Sequence, residues 1–436
     1  MSKAIDFSWL EAYQSPEPHF GLERMETLLS YLGSPHKSLE VIHIAGTNGK
    51  GSTIAHLSTL LEQQGLRVAR FTSPYLVDFR EQFSINQDMI SEQKLQDLLE
   101  DLKQVIASHA EELQGLTEFE ILTALAFVYF HLEEVDVAIF EVGMGGDLDS
   151  TNVCQPLLTA ITTIGLDHTA LLGSTLAQIA GHKAGIIKQG VPVFEGGLDP
   201  EASQVVEAVA RGQKAPLSRL GRDFAYELSS SDGAQGYQAF TYRSRDREPF
   251  LLRTPLLGTH QAANASLALA LADAYSLIKK RSLLEASQVQ AAFERVIWPG
   301  RMEKVSTSPL VYLDGAHNPH AVEELRKTLS QHFAQKKVRL LFTCIQTKAL
   351  DEMLDLLSQD FGSDLILTHF EDPRATKIQV LQQAGSQRGL DFVPWKSYLD
   401  DYLDHPHHEE EVLLITGSLY FLSQVRPYIL QKNKRK

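Results

Sequence analysis

Cysteine is nearly absent from this sequence. Cys154 and Cys344 are the only two among 436 residues, and they lie far apart. Two cysteines support neither a disulfide framework nor a Cys-based metal site. No apolar run approaches the ~20 residues that a membrane-spanning helix needs. Met1-Ser2-Lys3-Ala4-Ile5-Asp6 holds no apolar segment of a secretory signal. The expected setting is therefore the reducing cytoplasm, away from membranes. Positive charge is also short: 40 Lys and Arg stand against 55 Asp and Glu, a formal net charge of -15. So acidic a chain is a poor partner for nucleic acid. If it binds an anion it must gather cations locally, which makes each Lys or Arg beside a glycine-rich loop informative.

What is present is ordinary globular material, 43% hydrophobic and 22% charged. The length predicts about two to three domains. One stretch stands out: Val41-Ile42-His43-Ile44-Ala45-Gly46-Thr47-Asn48-Gly49-Lys50-Gly51-Ser52-Thr53. A β-branched run ends in a glycine-rich turn, and a lysine and hydroxyls open an amphipathic segment, Ile54 to Gln64. This is the layout of a phosphate-binding loop. Glycines let backbone N–H groups approach phosphate oxygens, the lysine adds a charge, and a helix N-terminus adds its dipole. The spacing departs from the common nucleotide loop, which wants Gly where Ile44 stands.

Strand-like and helix-like segments alternate. Leu39–Ala45, Arg67–Thr72, Val135–Val142 and Leu157–Ile164 read as strands, and Leu95–Ser108 and Phe119–Leu132 as helices. Such alternation predicts an α/β fold, a doubly wound parallel sheet whose ligands bind at the carboxyl ends of the strands. The loops after Ala45, Thr72, Val142 and Ile164 are therefore expected on one rim. From Phe224 to Leu252 rough alternation predicts a hairpin or small meander. His260–Leu277 and Leu283–Val296 read as helices, and Trp298-Pro299-Gly300 breaks the pattern. Beyond it Leu310–Leu313, Val338–Thr343, Asp364–Leu367 and Val412–Thr416 predict a second, smaller Rossmann-like α/β unit. The expected division is 1–297 and 298–436, with a solvated, frayed tail from Gln431.

Further blocks accompany the loop: Thr72-Ser73-Pro74-Tyr75-Leu76, Thr117-Glu118-Phe119-Glu120, Glu141-Val142-Gly143-Met144-Gly145-Gly146 and Gly165-Leu166-Asp167-His168-Thr169. Then come Gly258-Thr259-His260-Gln261-Ala262-Ala263-Asn264, Trp298-Pro299-Gly300-Arg301-Met302-Glu303 and Asp314-Gly315-Ala316-His317-Asn318-Pro319. In this order, over nearly the whole chain, the set closely resembles the folylpolyglutamate synthase family of the Mur ligase group. The resemblance implies a P-loop-type ATP-binding domain and a C-terminal glutamate-ligase domain. It implies that ATP phosphorylates a folate γ-carboxylate to an acyl phosphate, which the amino group of L-glutamate then attacks. A carboxylate is a poor electrophile, and phosphorylation supplies a leaving group. The anions that meet must be screened by Lys50, by loop N–H groups and by Mg²⁺, with two ions expected.

By the same resemblance, Gly46, Thr47, Asn48, Gly49, Lys50, Gly51 and Ser52 hold the phosphates, Asn264 lies near the adenine, and Arg301 and Asp314 meet phosphate and ribose. Ser73, Glu141 and His168 would hold Mg²⁺, although imidazole is a less usual partner for that ion. Lys183 matches a lysine that the family can carbamylate, alongside the reading of a helix lysine with its head in water. Lys50, Lys183 and His317 are the catalytic candidates. Ser73, Tyr75, His317 and Ser418 are the candidates for binding folate, dihydropteroate or glutamate. Ser418 is equally a plain helix N-cap, and Asp314 with Arg301 could form a structural ion pair. The family suggests a monomer, closing on substrate about a hinge near Trp298.

The chain departs from the family at Tyr75, usually His, and at Gln82, usually Arg. It departs again at Asp147, usually Arg, at His182, usually Glu, and at Thr347, usually Asp. Asp147 and Gln82 cost the rim two cations, which is expected to weaken binding of phosphates or an acidic folate tail. Drift in a working enzyme and a paralogue with a changed acceptor or low activity both remain open. A related ligase for another acid, a nucleotide-binding regulator without ligation, and dihydrofolate synthase activity are the further readings. A simple P-loop kinase or GTPase leaves the second unit and its Asp314–Pro319 block unexplained.

Overall fold

The computed structural model describes residues 7–14, 21–229, 236–405 and 410–434. The first six residues, and with them the reading of a missing signal segment, lie outside that range. The chain divides into two compact units: Met1–Tyr226 with Tyr242–Phe250 and Ala263–Arg295, and Glu227–Thr241 with Leu251–Ala262 and Val296–Lys436.

In the first unit the strands are β1 (Val41–Ala45), β2 (Val68–Phe71), β3 (Phe83–Ile85), β4 (Asp88–Met89), β5 (Val137–Glu141), β6 (Leu158–Ile161), β7 (Val193–Glu195) and β8 (Leu217–Arg219). They form one sheet in the order β4-β3-β2-β5-β1-β6-β7-β8. From β2 to β8 every neighbouring pair is parallel, and the antiparallel pairs are β2 with β3 and β3 with β4. β1 is buried on both faces along its whole length, His43 included. Because β2, β5, β1 and β6 are parallel neighbours, the loops leaving them share one rim.

Helices cover this sheet. Lys50–Gln63 follows β1 directly. Glu118–Leu132 starts in a capping box, in which Thr117 accepts the Glu120 N–H and Glu120 accepts the Thr117 N–H. Its Phe127 and Phe130 pack on Phe140 of β5. Leu176–Ala184 starts in a second capping box, Thr175 with Gln178. Residues 224–254 supply β9 (Phe224–Leu228), β10 (Gln238–Ser244) and β11 (Arg247–Thr254), a three-stranded sheet where a hairpin or meander is expected.

The second unit holds β12 (Glu303–Thr307), β13 (Leu310–Asp314), β14 (Lys337–Phe342), β15 (Leu365–Leu367), β16 (Asp391–Phe392) and β17 (Glu411–Thr416), in the order β12-β13-β17-β14-β15-β16. All neighbours are parallel except β12 with β13. Its core gathers Leu325, Leu340, Phe342, Leu357 and Leu414. The tail is not frayed from Gln431, as expected from sequence. The helix Leu419–Asn433 runs through it, and the Asn433 amide donates to Val305 O at 2.8 Å. Residues 435–436 lie outside the described range. Both cysteines are free and buried.

Candidate functional site

The glycine-rich loop after β1 is tied to the exit of β6. Thr47 N donates to Thr163 O at 2.8 Å. The Thr47 hydroxyl donates to Gly165 O (3.2 Å) and accepts from Gly165 N (3.0 Å). Asn48 N donates to the Thr163 hydroxyl at 3.0 Å, and the Thr162 hydroxyl donates to Asn48 O at 2.6 Å. Glycine is required here for space: a Cβ on Gly46 would stand 1.9 Å from Thr162 Oγ1. Gly49 caps the helix in the left-handed region (φ +86°), and a Cβ on it would stand 2.5 Å from Asn264 Oδ1. Asn264 thus lies against the loop, on the helix Thr259–Ile278. Lys50, Gly51 and Ser52 form the first turn of the following helix, where unpaired N–H groups suit an anion.

Three charged groups converge on this loop. Lys50 Nζ donates to Gly46 O at 3.0 Å and stands 3.8 Å from Glu141 Oε1. Glu141 ends β5, is 5% exposed, and accepts the Ser73 N–H at 3.2 Å. Lys183, in the last turn of Leu176–Ala184, also donates to Gly46 O at 3.0 Å. It is 5% exposed, so it is no solvated helix lysine. Burial, and next the charge of Lys50, push its ammonium pKa down to about 7, against the smaller pull of Asp167 and Asp149.

Ser73 and Glu141 are brought together. His168 lies on the loop after β6, in the left-handed region at the start of the short helix Thr169–Leu172, its N–H on Asp167 Oδ1. Among the described residues, no three His, Cys, Asp or Glu side chains cluster to hold a metal ion. Mg²⁺ keeps waters and is held by one or two carboxylates together with substrate phosphates. Glu141, a buried carboxylate whose second oxygen faces Lys50 beyond hydrogen-bond distance, fits such a role.

The departures have structural partners. Tyr75 is 42% exposed and packs edge-on against Phe79. Gln82 is buried and gives its amide to Phe79 O. Glu81 accepts the Leu76, Val77 and Asp78 N–H groups and so closes the loop after β2. Asp147, read from sequence as a reversed charge near the rim, has a histidine beside it. His182 Nδ1 lies 3.0 and 3.1 Å from its two carboxylate oxygens. Nothing in the structure explains Thr347.

In the second unit Asp314 ends β13. Its oxygens accept the Met302 and Ala316 N–H groups, both at 2.9 Å. Burial raises its pKa, and Arg301, the two amides and His260 counter that. Arg301 lies against this turn, because a Cβ on Gly315 would stand 2.2 Å from Arg301 Nη1. His317 Nδ1 donates to Gly315 O at 2.7 Å. Ser418 caps the helix Leu419–Asn433, its hydroxyl accepting from Phe421 N at 3.4 Å, the geometry of the N-cap reading.

Two contributors were not singled out from sequence. Asp149 accepts the Met144, Gly143 and Thr151 N–H groups and the Thr151 hydroxyl, and so shapes the loop after Glu141. The Thr151 hydroxyl also meets buried His43, which burial keeps neutral. The signal for Asp149 was an Asp two residues before Thr151, an Asx turn. His260 lies beside Asp314 and 3.9 Å from Glu324, and burial lowers its pKa. It stood inside a quoted block, but only the fold gives it a carboxylate neighbour.

Comparison with known proteins matches the Mur ligase middle domain over residues 44–272 and the Mur ligase glutamate ligase domain over 300–419. The chain is 38% identical over 413 residues to the dihydrofolate synthase/folylpolyglutamate synthase of Bacillus subtilis, covering 93% of this chain and 94% of that one. Among solved structures it is similar to Mycobacterium tuberculosis folylpolyglutamate synthase complexed with ADP (TM-score 0.86, 31% identity, 97% of each chain). It is also similar to an FPGS–AMPPCP–folate complex (TM-score 0.81, 34% identity, 98% of this chain and 100% of that one).

Proposed function

We propose the following reading for a chain that belongs to the folylpolyglutamate synthase/dihydrofolate synthase family of Mur ligases. It is an ATP-dependent ligase that joins L-glutamate to the γ-carboxylate of a folate, through an acyl phosphate, with release of ADP and phosphate. The observation that carries the reading is the meeting of Lys50, Lys183 and Glu141 at the Gly46 loop, on the carboxyl rim of a parallel sheet.

The reaction brings a carboxylate to a triphosphate, so positive charge must stand where the terminal phosphoryl moves. Lys50 and the first-turn N–H groups of its helix supply that charge from fixed positions, without reorganisation. Glu141 with Ser73 and His168 would hold Mg²⁺, which when bound would screen the phosphates further. Lys183 reacts as the neutral amine with CO₂, and the carbamate replaces a cation by a carboxylate-like group. Asn264 faces the adenine. In the second unit Arg301 and Asp314 serve phosphate and ribose, His317 the reacting centre, and Ser418 the incoming glutamate. Residues 1–297 form the ATP-binding part and 298–436 the glutamate-ligase part. Tyr75 meets the folate, and the chain works as a cytoplasmic monomer. None of its described helices is long and apolar enough to cross a membrane.

The test is ADP release by the purified chain with ATP, Mg²⁺ and glutamate against tetrahydrofolates and dihydropteroate. Turnover with a tetrahydrofolate is expected. Dihydropteroate belongs in the panel because relatives carry both activities in their names. Tight ATP binding without ADP release on any acceptor would overturn the reading in favour of a regulator.

A further inference from the structure

Asp147 and His182 come from different elements, the loop after β5 and the helix that carries Lys183. Besides the side-chain pair, Asp147 N donates to His182 O at 2.9 Å. The Asn152 amide donates to both Asp147 O (2.9 Å) and Gly185 O (3.3 Å). The two backbones lie flush. A Cβ on Gly146 would stand 2.7 Å from His182 O and 2.9 Å from Lys183 O, and a Cβ on Gly185 would stand 2.3 Å from Asp147 Cβ. The loop clamped in this way starts at Glu141, which faces Lys50. The helix turn it clamps places Lys183 Nζ on Gly46 O.

We propose that the Asp147–His182 pair is a positioning device for Lys183, fixing the turn that carries it against the loop that begins at Glu141. The proposal rests on the ligase reading above. The pair is 39% and 37% exposed, and such pairs add little stability. Its effect is therefore geometric: a small displacement of a reacting group costs far more in rate than in folding. The two departures from the family at 147 and 182 then become one. Where the family is expected to carry Arg and Glu, this chain carries Asp and His, and the two side chains meet through hydrogen bonds.

Steady-state kinetics of the full chain test this, with Asp147→Asn, Asp147→Arg and the double variant Asp147→Arg/His182→Glu. Asp147→Asn is expected to lose about tenfold in kcat, with the ATP KM within about twofold and the thermal midpoint almost unmoved. Asp147→Arg is expected to lose at least as much, and the double variant to recover to within about threefold of the unaltered chain. Unchanged kcat in Asp147→Asn, a loss of thermal midpoint alone, or a double variant no better than Asp147→Arg would overturn the proposal. Reductive methylation of Lys183, read by mass spectrometry, needs no turnover. Labelling should rise at least about threefold in Asp147→Asn and fall back in the double variant. Equal labelling throughout overturns the positioning role, whereas absent turnover in the unaltered chain overturns only the ligase reading.

Discussion

At the rim of the eight-stranded sheet two ammonium groups share the carbonyl of Gly46. At the rim of the six-stranded sheet one carboxylate, Asp314, takes two backbone N–H groups with a guanidinium beside it. Both sites end a parallel strand, and in both burial is the largest influence on the titrating group. It drives Lys183 down and Asp314 up. The outcomes differ because the second rim is satisfied by its own chain. At the first, two lysine heads crowd one carbonyl, with the nearest carboxylate 3.8 Å from Lys50, and an incoming anion relieves that crowding. At the second rim the strand-end carboxylate is already held by its own chain.

The largest effect should come from the first rim. Lys50→Ala is expected to lower ligation by at least about a hundredfold with an unaltered circular dichroism spectrum. Near-normal turnover would remove the contrast between the rims. Lys183→Met should also cost about a hundredfold in kcat, yet raise stability near pH 7. The folded ammonium titrates at about 7, against 10.5 in the unfolded chain. The folded state therefore binds fewer protons between those values, and stability rises with pH across that window. The stabilising gain of Lys183→Met is thus full below about pH 7 and fades toward 10.5, which melting curves at several pH values would reveal.

On the second rim Asp314→Ala strands the Met302 and Ala316 amides, at about 1–3 kcal/mol for each buried group. Denaturant unfolding should show a loss of that order. A loss confined to ATP affinity would make Asp314 a ligand contact more than a scaffold. The smallest effect is expected for Ser418→Ala, about 1 kcal/mol for a lost N-cap. A raised KM for glutamate with unmoved stability would assign Ser418 to the substrate.

Much of the first rim was legible because its determinants are local. The β-branched run, the glycines and Lys50 are consecutive, and the buried runs around Ile139 and Ala160 mark neighbouring strands by composition alone. The short strands β3, β4, β7, β8 and β16 were missed, because two or three residues carry no periodicity, and β12 was not marked either. The fate of Lys183 was not legible either. Helical spacing allows a head in water, and only packing brings its Nζ to a carbonyl 137 residues away in sequence. The partner of Asp147 was hidden for the same reason. Read alone Asp147 reverses a charge, and the histidine that answers it stands 35 residues further on.

The reciprocal hydrogen bonds between Thr47 and Gly165, with those of Thr162 and Thr163 to Asn48, bear on how far this nucleotide loop is a portable part. A graft of residues 46–52 alone onto another sheet would leave these anchors behind. The transplantable module is the loop together with residues 162–165, and the recipient must already hold two adjacent parallel strands to carry them.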